Sequence, residues 1–323
     1  MYKELFNSIS FGVMQSYKSV NAYPLISPVF PGALPYFTLV EAIEQMLLKI
    51  EEVSEGGSVP ELRVVSKAKI PVLLVSGEEV KGAKQNRILN TSILIPAESS
   101  VIIPVSCTER GRWSYSSPDF KDSGNISSRD IRMAASDSVR LSLNDGRGHR
   151  SDQGKVWDKI EELHFKSRSD NTSRTRAMDD AYKSMADDLE EAQRHFSLIS
   201  GQTGILFFHA GKVAGLDVFS RSGAYARLHG KLVKSYLIDC LGGKSSKYLP
   251  ETLQQEARQF LDSAGTAAVK VFKSPGLGDD HRLQTQHVHG SVLVFENEPV
   301  HACCFRTEPE EDRMAGFNKR RNL

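Results

Sequence analysis

The chain has 323 residues and a mass of 35.8 kDa, enough for about two domains of ordinary size or one large one. Hydrophobic residues make up 40% and charged residues 25%, an ordinary globular balance, and 41 Lys and Arg against 40 Asp and Glu leave a net charge of +1. That near-neutrality argues against a general polyanion binder, and no apolar run approaches the roughly 18 residues of a membrane helix.

The opening residues, MYKELFNSISFGVMQ, lack a cationic stretch followed by an unbroken apolar run, so no secretory signal is expected. Residues 1–37, with prolines at 24, 28, 31 and 35, read as extended chain and turns. Thr38-Leu-Val-Glu41 has capping-box spacing, and Leu39, Ile43, Met46, Ile50 and Val53 recur at helical spacing. A helix over 38–53, ended by Gly56-Gly57, is predicted. From 60 to 106 the apolar runs are short and β-like: Leu62 and Val64, 71–75, 93–95 and 101–105.

Residues 125–199 read as helical, with Ser128 and Asp152 as N-caps and a loop at Asn144-Asp-Gly-Arg-Gly148. The longest predicted helix runs from 174 to 199. Met178, Tyr182, Met185, Leu189, Ala192, Phe196 and Ile199 form a heptad-like seam on it, opposite an acidic face. A buried stripe under a solvated face explains that pattern, and pairing between protomers through 178–199 is the alternative. Beyond Gly201, 205–209 and 213–219 read as a hairpin, followed by a helix carrying Tyr225, Leu228, Leu232 and Tyr236. Another helix opens at Pro250, and strands follow over 268–272, 288–295 and 302–305.

These elements lack regular βαβ alternation and predict an α+β fold. It has a mostly antiparallel N-terminal sheet or sandwich with polar loops, a helical middle, and a second, smaller sheet with helices at the C-terminal end. The expected division is a β-rich module over 1–124 and an α+β module over 125–323 with a helical insertion at 125–199, or one continuous domain. Four cysteines, none in a C-x-x-C pair, suit a reducing, cytoplasmic setting. Cys303 and Cys304, adjacent in a strand, are expected to point one inward and one outward.

Polar chemistry concentrates in two places. Residues 77–91 supply Glu78, Glu79, Lys81, Lys84, Gln85, Asn86, Arg87 and Asn90 between two apolar strands. Residues 106–113 supply Cys107, Glu109, Arg110, Arg112 and Trp113, with Tyr115 just beyond. Carboxylates accept from sugar hydroxyls, amides read carbonyls or bases, and guanidinium groups clamp phosphates. An aromatic ring beside arginines can stack a base. A hairpin of 89–95 with 99–105 would bring both clusters to one end of the sheet. The competing reading is a set of ion pairs that fixes the loops. Cys107 follows an apolar strand and reads as a buried thiol rather than a nucleophile.

The segments GEEVKGAKQNRILNTS (77–92) and IPVSCTERGRW (103–113) resemble the ARG and Rhodanese-Phosphatase-superfamily-associated domain family, where ARG denotes ADP-ribosylglycohydrolase. The weaker likeness extends over most of the chain. The family's name reflects association with enzymes of ADP-ribose and NAD metabolism, so the resemblance implies a pathway more than a reaction. It implies a nucleotide ligand for Lys84, Gln85, Asn86, Arg87, Asn90, Arg112 and Trp113. The acid–base candidates are Glu78, Glu79 and Glu109. The expected chemistry is hydrolysis or transfer at a glycosidic or phosphoester bond. The alternative is a non-catalytic nucleotide-binding or assembly subunit.

Other motifs carry less. Leu241-Gly-Gly-Lys-Ser-Ser246 lacks the earlier glycine of a P-loop, and no G-x-G-x-x-G follows a strand. His287 and His289 lack a third spaced ligand, so no metal is expected, and no motif specifies a cofactor. Residues 140–176 carry nine Lys or Arg against six Asp or Glu, a mixed pattern that argues against nucleic acid as partner.

Overall fold

The computed structural model describes residues 2–28, 34–167, 169, 175–241 and 248–307. Six antiparallel strands close into a barrel in the order Ser100–Cys107, Glu61–Ser66, Leu48–Glu52, Phe120–Ile126, Glu78–Gly82 and Arg87–Leu89. Alternate residues along each strand share a face. Ile50, Leu62, Val64, Val80, Leu89, Ile103, Val105 and Phe120 therefore gather into one apolar cluster. Continuing each inner stripe by two residues leads to Glu52, Arg87 and Cys107. The register Cys107↔Arg87, Ile103↔Leu62 and Glu52↔Leu62 puts these three at the same end of the barrel.

The second sheet has nine strands, because Ser10–Phe11, Gln15–Tyr17 and Val20–Ile26 join the C-terminal strands. It outgrows the barrel instead of being the smaller sheet. Val20–Ile26 pairs along its length with Gly204–His209, so prolines that read as turns sit in a strand and at its flank. Helices cover both faces. Ile205, Phe207, Cys303 and Phe305 pack toward Arg129–Asn144, Gln153–Ser167 and Ser222–Leu237. Leu206, Phe208, Ala302 and Cys304 pack toward Tyr2–Asn7 and Pro250–Gly265. Cys303 and Cys304 do point to opposite faces, but both faces are core, so both thiols are buried.

The α+β class and the helical middle stand as expected. The Thr38–Glu41 capping box forms, Ser128 accepts from Ile131 N, and Asp152 accepts from Gly154 N and Lys155 N. The helix it starts, however, is Leu39–Glu44 and not 38–53. Met46 takes a left-handed φ of 56° and its side chain is exposed. From Leu48 to Glu52 the buried positions alternate, and barrel pairing overrides the helical spacing. The expected 174–199 helix is two helices, Met178–Ser184 and Ala186–Gln193. Its seam residues Met178, Tyr182, Met185, Leu189, Ala192 and Phe196 lie in the chain's own core. Pairing of protomers through that seam would require these side chains outside; Asp187, Asp188, Glu190 and Glu191 occupy the exposed face instead.

Strand Asp279–Gln284, too polar to be read from the sequence, lies between Ala268–Lys273 and Val288–Phe295. Residues 242–246 and the 318–323 tail lie outside the described residues. No helix among the described residues is long and apolar enough to cross a membrane.

Candidate functional site

The 89–95/99–105 hairpin does not form, yet the two polar segments do meet. Ile93–Ile95 pairs with Val72–Leu74, while Ser100–Cys107 pairs directly with Arg87–Leu89. The loops at 83–86 and 108–116 consequently emerge at one end of the barrel. Thr108 N donates to Asn86 O (3.0 Å) and Ser116 N to Ala83 O (2.9 Å), which ties them together.

Arg87 stands at this end, fully buried. Its Nη1 reaches Gln85 Oε1 and Asn86 O, both at 3.3 Å, whereas Nε and Nη2 have no partner. No carboxylate among the described residues forms an ion pair with it, and burial depresses its pKa. Buried guanidinium donors left unpaired are costly, so this arrangement calls for an explanation. Across the same inner face, Glu52 accepts from Lys84 N at 3.3 Å with Oε1, while its Oε2 is buried without a partner. A Cβ on Gly57 would lie 3.3 Å from both Glu52 Oε2 and Trp113 Cζ2 and 3.1 Å from Lys84 Cδ, so these groups converge on one spot.

Lys84 Nζ donates to Glu55 O and Gly56 O at 2.7 Å and lies about 5 Å from the rings of Trp113 (5.4 Å) and Tyr115 (5.2 Å). Arg87 lies 5.8 Å from the Trp113 ring. Trp113 and Tyr115 are about half exposed, a state that an apolar core ring would not adopt. Cys107 shares this inner end, and burial raises its thiol pKa against the pull of Arg87. It is a buried thiol, as its strand context suggests.

The other sequence-predicted residues divide differently. Arg112 is spent: Nε and Nη2 hold Glu109 at 2.9 and 2.6 Å, and its remaining donors reach Ala83 O, Ser114 O, Ser116 Oγ, Gly82 O and Asn86 Oδ1. Glu109 also accepts from Asn86 N. This pair staples the two loops that carry the site, which is the role the ion-pair reading assigned to it. Asn90 faces away from Arg87. It accepts from Ser106 Oγ (2.7 Å) and donates to His149 O (3.1 Å), so it anchors the 144–152 loop.

Glu78 and Glu79 do not repel each other as a pair, because neighbouring strand residues point to opposite faces. Glu78 begins its strand, two residues before Val80, the register partner of Arg87. It accepts from Val75 N (2.8 Å) and Lys231 Nζ (3.2 Å), and Lys231 is shared with Asp122 at 2.6 Å. Burial raises its pKa against Lys231. Glu79 accepts from Thr108 Oγ1 at 2.8 Å, Ser123 lies beside it, and burial raises its pKa to about 8.

The Glu79 shift makes stability pH-dependent. The folded state holds this proton up to about pH 8, whereas an unfolded glutamate releases it near 4.5. Stability is therefore expected to fall as pH rises from about 4.5 to 8, by a few kcal/mol at the order-of-magnitude level. Chemical denaturation at pH 5 and 8 checks it. Glu79→Gln should flatten the decline, and an unchanged slope in that variant would refute the assignment.

Glu52 and Tyr115 complete the barrel-end site, and sequence motifs passed over Glu52. The signal was present in Leu48-Lys-Ile-Glu-Glu52, whose alternation places Glu52 on the same face as Ile50, but helical spacing masked it. No curated protein and no solved structure matches the chain. The model of the ARG and Rhodanese-Phosphatase-superfamily-associated Protein domain matches residues 8–305, both polar segments included, and the chain belongs to that family.

Proposed function

We propose that the barrel end binds an ADP-ribose- or NAD-like nucleotide. The observation that carries this reading is the buried Arg87 guanidinium with two unpaired donors, opposite a buried Glu52 oxygen that also lacks a partner. A ligand with an oxyanion and a hydroxyl satisfies both at once. In this reading the diphosphate engages Arg87 and Lys84, and a ribose hydroxyl donates to Glu52. The base stacks on Trp113 or Tyr115, and Gln85 and Asn86 line the entrance. The family's name, which ties it to ADP-ribosylglycohydrolase, supports the choice of nucleotide.

The geometry favours binding over turnover. Glu78 and Glu109 are committed to Lys231 and Arg112, and Glu79 faces the opposite side of its strand from the inner stripe. Glu52 is the carboxylate that a hydrolytic or transfer reaction at this end would use. Two tryptophans allow a direct test. With Trp157→Phe, the remaining Trp113 fluorescence should respond to ADP-ribose or NAD at saturable concentration. Trp113→Ala should weaken binding by about 1–3 kcal/mol. Mass spectrometry of the same mixtures then separates a sensor from an enzyme. A Trp113 signal indifferent to every nucleotide tried would remove the proposal.

A further inference from the structure

A cavity of about 180 Å³ opens on the nine-stranded sheet and shares no residue with the barrel end. No sequence motif points to it, because its wall comes from distant parts of the chain. Arg129 and Asp130 open one helix, Lys166 closes another, and Asp239 follows the end of a third. His209 and Lys212 flank the turn of a sheet hairpin, with Arg306 on a neighbouring strand.

Asp239 is the centre of the arrangement. Its side chain is 8% exposed. Oδ2 accepts from Asp130 N at 2.9 Å, whereas Oδ1 has Lys166 Nζ at 3.8 Å, beyond hydrogen-bond reach. A buried carboxylate in a cavity wall thus keeps an acceptor available. Burial, with Asp130 nearby, lifts its pKa to about 6.

The cations are only partly neutralised. Arg129 is used by Asp130 and by the Ala214 and Arg306 carbonyls. Lys166 is 3.2 Å from Asp130. Arg306 holds Glu256 through Nη2 and Val213 O through Nε, which leaves Nη1 without a partner among the described residues. Lys212 shares the same Glu256. Four cations therefore face three carboxylates, and His209, whose pKa burial lowers, adds a neutral imidazole. A concave wall with excess positive charge and a single buried acceptor suits an anion that also carries a donor.

We propose that this cavity is a second ligand site, which takes a small hydroxylated oxyanion. Its charged group sits on Lys166, His209 and Arg306 Nη1, and a hydroxyl donates to Asp239 Oδ1. At roughly six water volumes, the space admits a compound of a few carbons.

Calorimetric titration of the full chain with inorganic phosphate, glycerol 3-phosphate and lactate tests this. Glycerol 3-phosphate or lactate is expected to bind more tightly than phosphate, and which of the two wins distinguishes a phosphate from a carboxylate ligand. Lys166→Gln should weaken binding at least tenfold. Asp239→Asn should erase the advantage of the hydroxylated probe over phosphate, which a merely structural role would not do. Arg87→Met should leave these affinities unchanged, so this site stands or falls separately from the barrel end. Circular dichroism confirms that each variant is folded. No binding of any probe at millimolar concentration would overturn the proposal, as would binding indifferent to Lys166→Gln or binding lost with Arg87→Met.

Discussion

Arg132→Ala is expected to cost about 3–5 kcal/mol of stability. Arg132 and Asp217 are both fully buried and form a two-pronged ion pair, with Arg132 Nη1 donating to Asp217 Oδ2 at 2.9 Å and Nη2 to Oδ1. Asp217 also accepts from Tyr236 Oη at 2.8 Å and lies 3.3 Å from His301 Nε2, while His301 Nδ1 meets Ser92 Oγ at 2.8 Å. The network joins the first middle helix, two strands of the large sheet and the loop that leaves the barrel. Opposed charges hold Asp217 well below the usual carboxylate range and Arg132 above its own. Removing the arginine leaves a buried, uncompensated carboxylate. The double change Arg132→Met, Asp217→Leu should lose less than Arg132→Ala alone, because no charge is then stranded. Urea denaturation measures all three proteins; a loss below about 1 kcal/mol for Arg132→Ala would show that water or rearrangement compensates Asp217. Ser92, His301 and Asp217 have the residue types of a hydrolase triad, but they are buried and Asp217 is engaged by Arg132, so the group is structural.

Arg87→Met is expected to move stability and binding in opposite directions. Arg87 is as buried as Arg132 but has, among the described residues, no carboxylate partner and two unpaired donors. Replacing it with an apolar side chain of similar length removes a desolvated charge, so stability should hold or rise by about 1–3 kcal/mol. Nucleotide affinity should fall more than about 100-fold, close to 3 kcal/mol, because charged donors in a buried pocket contribute most to phosphate recognition. Paired melting and nucleotide titrations read both quantities from one preparation. If Arg87→Met destabilises the chain as Arg132→Ala does, Arg87 is a structural residue and the barrel-end proposal fails. If stability holds and affinity is unchanged, the ligand binds elsewhere.

Much of the barrel-end site was legible because its residues are close in sequence. Lys84, Gln85, Arg87 and Trp113 belong to two short polar segments bounded by β-like runs, and strand pairing carries such segments to a common edge. Which face each residue takes was less accessible. Glu78 and Glu79 look like a carboxylate pair in one dimension, and the strand's two-residue period separates them. Arg112 looks like a phosphate clamp until its donors are traced to loop carbonyls and Glu109. Glu52 was hidden because Leu39, Ile43, Met46 and Ile50 fit a helical repeat that the chain abandons at Met46.

By itself the sequence determined the local signals: the Thr38 capping box, the Ser128 and Asp152 caps, the 205–219 hairpin, the buried seam from Met178 to Phe196 and the two polar segments. These depend on contacts a few residues apart and on a periodicity that one segment carries alone. Only the tertiary structure decided the barrel closure, the enlargement of the second sheet by residues 10–26, the burial of both Cys303 and Cys304, and the meeting of Arg129, Lys166, Asp239 and Arg306 around one cavity. Each of those outcomes joins residues tens to hundreds of positions apart. Their pairing is set by which faces can be buried together, and no single segment contains that information.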